Sequence, residues 1–316
     1  MSVCMFTRKI NLRVCSFLLL GICLLFVVGC TNSVDSKNIQ SEQKQEAEEQ
    51  FRLGESCLKK EEFEEAFSHF TKAAEQGCVE AEYKLGLCYK EGEGTEKDIN
   101  KAIEHFNKAA ERGNSDAQCD MGVFYYFGRG VKQDVERAFE LFTESSKQGN
   151  ARAQHCLATC YYRGTGTEKD ISQAFKWWNE SAKQSFPESQ YDLACCYFEG
   201  EGTSKNVAKG LELCTKAAEQ GFPEAQYELG RRYYDGDGVS ADFKQAVKWW
   251  EKAAEKDIAE AQYRLSLCYV EGKGVERDVH KAHLLMIEAA KNGHKKATEI
   301  IGMVKKRIAE GQDAED

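Results

Sequence analysis

Apolar positions recur along the middle of the chain at helical spacing, in two kinds of stretch that alternate. In the first kind, Ala81, Leu85, Cys88 and Tyr89 fall on one face; in the second, Ala102, Phe106, Ala109 and Ala110 do. That periodicity predicts two amphipathic helices. Gly92-Glu93-Gly94 stops the first, because glycine accepts left-handed backbone angles at a helix end at little steric cost. Asp98 precedes Ile99 and Ala102, where an N-cap belongs, and Gly113 closes the second helix. The small Ala109 and Ala110 let the two helices approach closely, so the unit reads as an αα-hairpin.

The unit repeats without slipping. Gly92 and Gly94 are followed by Gly128 and Gly130, Gly164 and Gly166, Gly200 and Gly202, Gly236 and Gly238, and Gly272 and Gly274, a period of 36 residues. Asp134, Asp170, Asp242 and Asp278 hold the cap slot, and Asn206 keeps its chemistry. Self-similarity at this period predicts a solenoid, whose units bury a core only by stacking on one another. Such an architecture offers a long surface to a partner more readily than a closed catalytic pocket.

The strings Ala225-Gln226-Tyr227-Glu228-Leu229-Gly230, Tyr234-Asp235-Gly236-Asp237-Gly238-Val239 and Lys248-Trp249-Trp250-Glu251-Lys252-Ala253-Ala254 resemble Sel1-like repeats. The resemblance covers six units within residues 79–296. It implies an all-α, right-handed α/α superhelical solenoid and the role of an adaptor in assembly, signalling or host contact. Residues 47–78 lack the Gly-x-Gly pair, and Leu53-Gly54, Ala66, Phe70 and Ala73 there resemble the related tetratricopeptide repeat. Residues 297–309 repeat only a first helix and are expected to cap the last apolar face. An acidic tail, 310–316, follows.

The N-terminal residues have a different pattern. Arg8, Lys9 and Arg13 precede an apolar run from Val14 to Val28, 15 residues long. A span needs about 20 apolar residues, so this length suits a signal-peptide core. The run ends Val27-Val28-Gly29-Cys30, which resembles a bacterial lipobox and implies a lipid on Cys30. Thr31 after it, rather than Asp, resembles outer-membrane sorting. The expected location is therefore the cell envelope, lipid-anchored, with a secreted or periplasmic protein as the alternative. Residues 30–46 are polar and read as a tether.

Charge narrows the partners. Losing residues 1–29 would remove three of the 43 Lys and Arg and none of the 52 acids, leaving a net charge of −12. No Lys/Arg cluster of the kind a nucleic-acid backbone demands is present. The expected partner is a protein or peptide, beside the membrane reached through the lipid.

Little chemistry of other kinds stands out. The glycine pairs lack the third glycine and the lysine of phosphate loops. Asp235-Gly236-Asp237 hints at a calcium loop, but the twelfth position is Ala246 where a glutamate is needed. His280 and His283 have no evident third ligand. No metal or cofactor is expected. Ten cysteines follow Cys30, and Cys88, Cys160, Cys196 and Cys268 share one apolar slot, as small hydrophobes do. Same-slot residues of adjacent units lie about 8–10 Å apart, beyond the reach of a disulfide, so free or mostly free thiols are expected, with the pairing of Cys78, Cys119 and Cys156 left open. Some cysteine-rich Sel1-like relatives carry a β-lactamase label, which makes an envelope hydrolase the alternative function. The Ser41-x-x-Lys44 string that chemistry would use falls in the tether, with no Lys-Thr-Gly elsewhere.

In tetratricopeptide relatives the first helices line the concave face. Carried over slot by slot, the candidate contacts are Tyr126, Tyr162, Arg163, Tyr191, Phe198, Tyr227, Tyr234 and Tyr263. The tyrosines suit recognition and suit packing between repeats equally. Arg231 and Arg232 occupy slots that are apolar or small elsewhere. They could receive a partner's carboxylate or phosphate, or pair with Glu228 and Asp235 one turn away. Trp177-Trp178 and Trp249-Trp250 sit in core slots of second helices and are read as packing.

Overall fold

The computed structural model describes residues 41–312, with side chains to Arg307. The signal segment, Cys30 and most of the expected tether lie outside the described residues. Within them the chain is all-α, as expected, and the helices come in antiparallel pairs. We number them α1 (residues 41–59), α2 (Phe63–Glu75), α3 (Val79–Glu91), α4 (Ile99–Glu111), α5 (Ser115–Phe127), α6 (Val135–Lys147), α7 (Ala151–Arg163) and α8 (Ile171–Lys183). There follow α9 (Pro187–Glu199), α10 (Val207–Glu219), α11 (Pro223–Asp235), α12 (Phe243–Ala254), α13 (Ala259–Glu271), α14 (Val279–Lys291) and α15 (Lys295–Gln312). The described residues divide into two compact units that part between Met121 and Gly122.

Each pair is built as its sequence directs. Asp98, Asp170 and Asp242 accept from backbone amides two or three residues ahead, and Asn206 accepts from the Lys209 amide. These bonds satisfy donors that a helix start leaves orphaned. The loop is clasped from both sides. Asp98 N donates to Tyr89 O and Asp170 N to Tyr161 O, both at 2.9 Å. The two glycines of a pair do different jobs. Gly164 takes the left-handed cap with φ of 69°. A Cβ on Gly166 would lie 2.2 Å from the Val135 carbonyl oxygen, so the second glycine exists for close approach to the preceding repeat.

Neighbouring repeats are joined through their buried ends. Gln154, Gln226 and Gln262 are buried and donate to Ser146, Ala218 and Ala254 carbonyls at 3.1 to 3.3 Å, which closes the preceding second helix. Rings complete the junctions: Tyr161 meets Phe139 and Tyr197 meets Phe175 edge-on, at 5.3 and 5.5 Å between centroids. Phe106, Phe142, Trp178 and Trp250 are buried at the centres of their pairs, so the tryptophans at 178 and 250 are core.

Two boundaries need correction. Ser41 to Glu46 belong to α1 rather than to the tether, and Ala47 is buried on that helix. Glu, Gln, Lys and Ala there are strong helix formers, and Lys44 pairs with Glu48 one turn on. The final helix runs from Lys295 to Gln312, so it takes in residues 310–312 of the expected acidic tail.

Candidate partner-binding face

Two cavities open on the first-helix face around α7, in the second unit. His155, Thr159 and Arg163 follow one another at single-turn spacing and line a cavity on each side. One cavity, about 220 Å³, is walled by Val123, Tyr126, Phe127 and Phe142. The other, about 310 Å³, is walled by Tyr162, Trp178 and Cys196, and by Asp192, Cys195, Glu199 and Glu201. Phe127 is 57% exposed, with the Arg129 guanidinium 4.8 Å over its ring. Arg163 is exposed and has no acid within ion-pair distance among the described residues.

The second cavity holds perturbed acids and bases. Burial pushes His155 down to about 4 and Asp192 up to about 7, so the uncharged form of each is favoured. His155 Nδ1 lies 3.1 Å from Ser189 Oγ and 3.6 Å from Asp192 Oδ2. Tyr162 donates to Glu201 Oε2 at 3.1 Å, and that bond raises the phenol's pKa. Glu201 is the residue between Gly200 and Gly202, so the loop of one repeat reaches back to the tyrosine of the previous one.

The expected contacts divide once placed. Tyr126, Tyr162 and Arg163 line the α7 cavities. Tyr191 and Tyr263 are half-buried at repeat junctions, the first against Phe222 at 5.5 Å and the second stacked on His294 at 4.1 Å. Tyr227 is half-buried in the same slot. Tyr234 packs on Trp250 and accepts from Lys273 Nζ at 2.9 Å.

Phe198 and the arginine pair require correction. Phe198 is 6% exposed, because Cys214 stands where five of the other six repeats carry a ring and Gly210 where they carry alanine. A Cβ at Gly210 would lie 2.4 Å from the Phe198 ring, which turns inward to fill the space. Arg232 is 5% exposed and bound to Glu228 at 2.8 Å and Asp237 at 3.0 Å, its guanidinium 3.2 Å over the Phe198 ring. Arg231 holds Glu228 at 2.7 Å and Asp235 at 3.1 Å. Both arginines are therefore internal partners rather than open receptors. The site residues missed in the sequence are Asp192 and Glu201, neither of which carries a motif.

The other candidate chemistry is inert or remote. No disulfide forms among the ten described cysteines; burial pushes Cys88, Cys160 and Cys268 to about 11 and Cys196 and Cys214 to about 12. They pack as small hydrophobes. His280 and His283 are exposed, and no group of three metal-ligating side chains occurs among the described residues. Ser41 and Lys44 are exposed on α1.

Paired helices with a 36-residue period, a left-handed glycine at each turn and stacked junctions define an α-helical repeat protein. Its family is equally plain. The Sel1 repeat model matches residues 50–78, 79–114, 115–150, 151–186, 187–222, 223–258 and 259–294, so the chain belongs to the Sel1 repeat family, with seven repeats where six were expected from the glycines. The extra one is the glycine-poor 50–78 segment. A Sel1 repeat protein from Oxalobacter formigenes is 33% identical with a TM-score of 0.68, over 82% of this chain and 76% of that one. The protective antigen c5321 of uropathogenic Escherichia coli strains is 31% identical with a TM-score of 0.67, over 82% and 57%. DAP3-binding cell death enhancer 1 of rat is 42% identical over 48 residues, and the match spans only 9% of that protein.

Proposed function

We propose that this chain is a lipid-anchored scaffold of the cell envelope that captures a partner protein on the first-helix face around α7. One observation carries the binding reading: Arg163, without an ion pair among the described residues, stands between two cavities beside the 57% exposed Phe127. On α11, by contrast, the two arginines are paired with Glu228, Asp235 and Asp237. An unpaired guanidinium next to accessible aromatic surface is the composition of an interface hot spot. The Sel1 repeat framework, whose members the sequence resemblance links to adaptor roles, supports it.

Anchoring rests on the Val27-Val28-Gly29-Cys30 string and the apolar run before it. The lipid on Cys30 is the attachment proposed.

The test is crosslinking from membranes followed by mass spectrometry, with wild type beside a Phe127→Ala/Arg163→Glu variant. An envelope protein recovered with wild type and lost with the variant is the expected result. Equal recovery with both would sink this face as the docking site. Cys30→Ser should release the chain from the membrane fraction, and persistence there would sink the lipid anchor.

A further inference from the structure

The cavity on the α5 side of α7 is open because two short side chains meet there. Two residues after the buried Leu or Met of each first helix the chain carries Leu87, Val123, Thr159, Cys195, Arg231 and Leu267. Val123 and Thr159 stand on consecutive first helices, and neither fills the space that Tyr126 and Phe142 wall. An apolar cavity of about 150 Å³ holds a benzene ring. The cavity here, about 220 Å³, therefore admits one leucine or phenylalanine side chain.

Its charge has one sign. Arg163 lines it, is exposed, and has no ion pair among the described residues. A second guanidinium, Arg129, lies over the Phe127 ring of the same wall. The Thr159 hydroxyl is already engaged, donating to the His155 carbonyl at 3.0 Å. No carboxylate lines this cavity, whereas Asp192, Glu199 and Glu201 all line the one on the α9 side. An anion is thus favoured at Arg163 from the α5 side and opposed from the α9 side. Phe127, 57% exposed, keeps more than half of its surface outside the cavity, so a chain that covers it runs on past the anchoring side chain.

We propose, within the scaffold reading on which this inference rests, that the face around α7 recognises an internal apolar–acidic pair of the partner polypeptide. A leucine or phenylalanine side chain fills the cavity between Val123 and Phe142, and an adjacent glutamate or aspartate pairs with Arg163. The backbone between them crosses Phe127, and no bond is made or broken. Repeat 223–258 has no such site, because Arg231 stands in the Thr159 slot and is committed to Glu228 and Asp235.

The experiment titrates the full chain with three blocked tripeptides, Ac-Glu-Phe-Glu-NH2, Ac-Gln-Phe-Gln-NH2 and Ac-Lys-Phe-Lys-NH2, and with Ac-Phe-OH. The Thr159 methyl resonance is the readout, assigned by its loss in Thr159→Ser, which keeps the hydroxyl. The glutamate probe should move it saturably and bind about fivefold tighter than the glutamine probe, the range of one exposed charge pair. Arg163→Gln should bring these two probes level. Val123→Leu, which places in this slot the residue found at Leu87 and Leu267, should weaken both. A lysine probe that binds best gives the site to the α9-side acids and overturns the inference. Ac-Phe-OH binding as tightly as the glutamate probe assigns a chain terminus and also overturns it, as does a resonance that no probe moves. Partner capture in the crosslinking experiment is scored independently. Capture lost in the Phe127/Arg163 variant with no glutamate preference defeats only this inference; capture unaffected by that variant defeats the reading beneath it.

Discussion

Repeats 151–186 and 223–258 share their capping, turn and core-tryptophan residues and finish their exposed faces in opposite ways. Both carry a capping aspartate, a glycine pair and a buried tryptophan from the second helix. In the later repeat Arg231 and Arg232 close on Glu228, Asp235 and Asp237, and Trp250 finds a carbonyl. In the earlier one Thr159 diverts that carbonyl, Trp178 is left without an acceptor and Arg163 has no acid partner among the described residues. The frame fixes the fold, and a few variable slots decide whether a repeat is sealed or left able to bind.

The largest effect should come from the shared part of the two repeats. Trp250→Ala empties a site that is 1% exposed and should cost about 3–5 kcal/mol in denaturant unfolding. Trp178→Ala should cost a similar amount. The difference appears in Trp→Phe variants, where losing the Trp250 hydrogen bond should cost about 1 kcal/mol more than the change at 178. Equal costs would contradict the sealed-and-open distinction.

The arginines sharpen it further. Arg232→Ala takes one of two arginines from Glu228, removes the closer partner of Asp237 and uncovers Phe198, and should destabilise by about 2 kcal/mol. Arg163→Ala, far more exposed and without an ion pair among the described residues, should stay within about 0.5 kcal/mol. Chemical denaturation of the two variants side by side is the check.

The α7–α9 pair also has an acid–base signature that the later repeat lacks. His155 sits near 4 in the folded chain, below its usual 6.5, so its contribution is complete above about 6.5 and is lost as pH falls toward 4. Asp192 runs the other way: with a folded value near 7 against 3.8, its contribution is complete below 3.8 and is lost as pH rises through 7. The two slopes oppose each other between these limits. Asp192→Asn should leave stability rising with pH across that window, and His155→Gln should leave it falling. A flat profile in both variants would refute the burial argument.

The smallest predicted effect tests the orphaned donor directly. Thr159→Val frees the His155 carbonyl for Trp178, and stability should change by less than about 1 kcal/mol. Exchange of the Trp178 indole proton should slow, and unchanged exchange would show that Thr159 is not the competitor.

The sequence made the framework legible because helix periodicity, capping aspartates and turn glycines are local signals repeated many times. The candidate site was legible only in part. Tyr126, Tyr162 and Arg163 line the α7 cavities, since position along a first helix determines which way a side chain faces. Phe198 does not, because its direction depends on the volumes of Cys214 and Gly210 in the next helix. Arg232 is sealed by Asp237 from the loop beyond it. Asp192 gave no signal at all, as its character comes from burial rather than from its neighbours in the chain.

The residue between the paired glycines has a consequence for how such chains can grow. Glu201 binds Tyr162, and Lys273 binds Tyr234, each across 39 residues and therefore across a repeat boundary. That separation exceeds the 36-residue period, so duplication of a single repeat, wherever it is cut, leaves one tyrosine facing an unfamiliar loop residue at the new junction. Duplication of two repeats together, such as 151–222, copies a tyrosine with its own loop residue. Growth by pairs of repeats therefore carries surface pairings forward, and growth by single repeats generates new charge patterns on an unaltered scaffold.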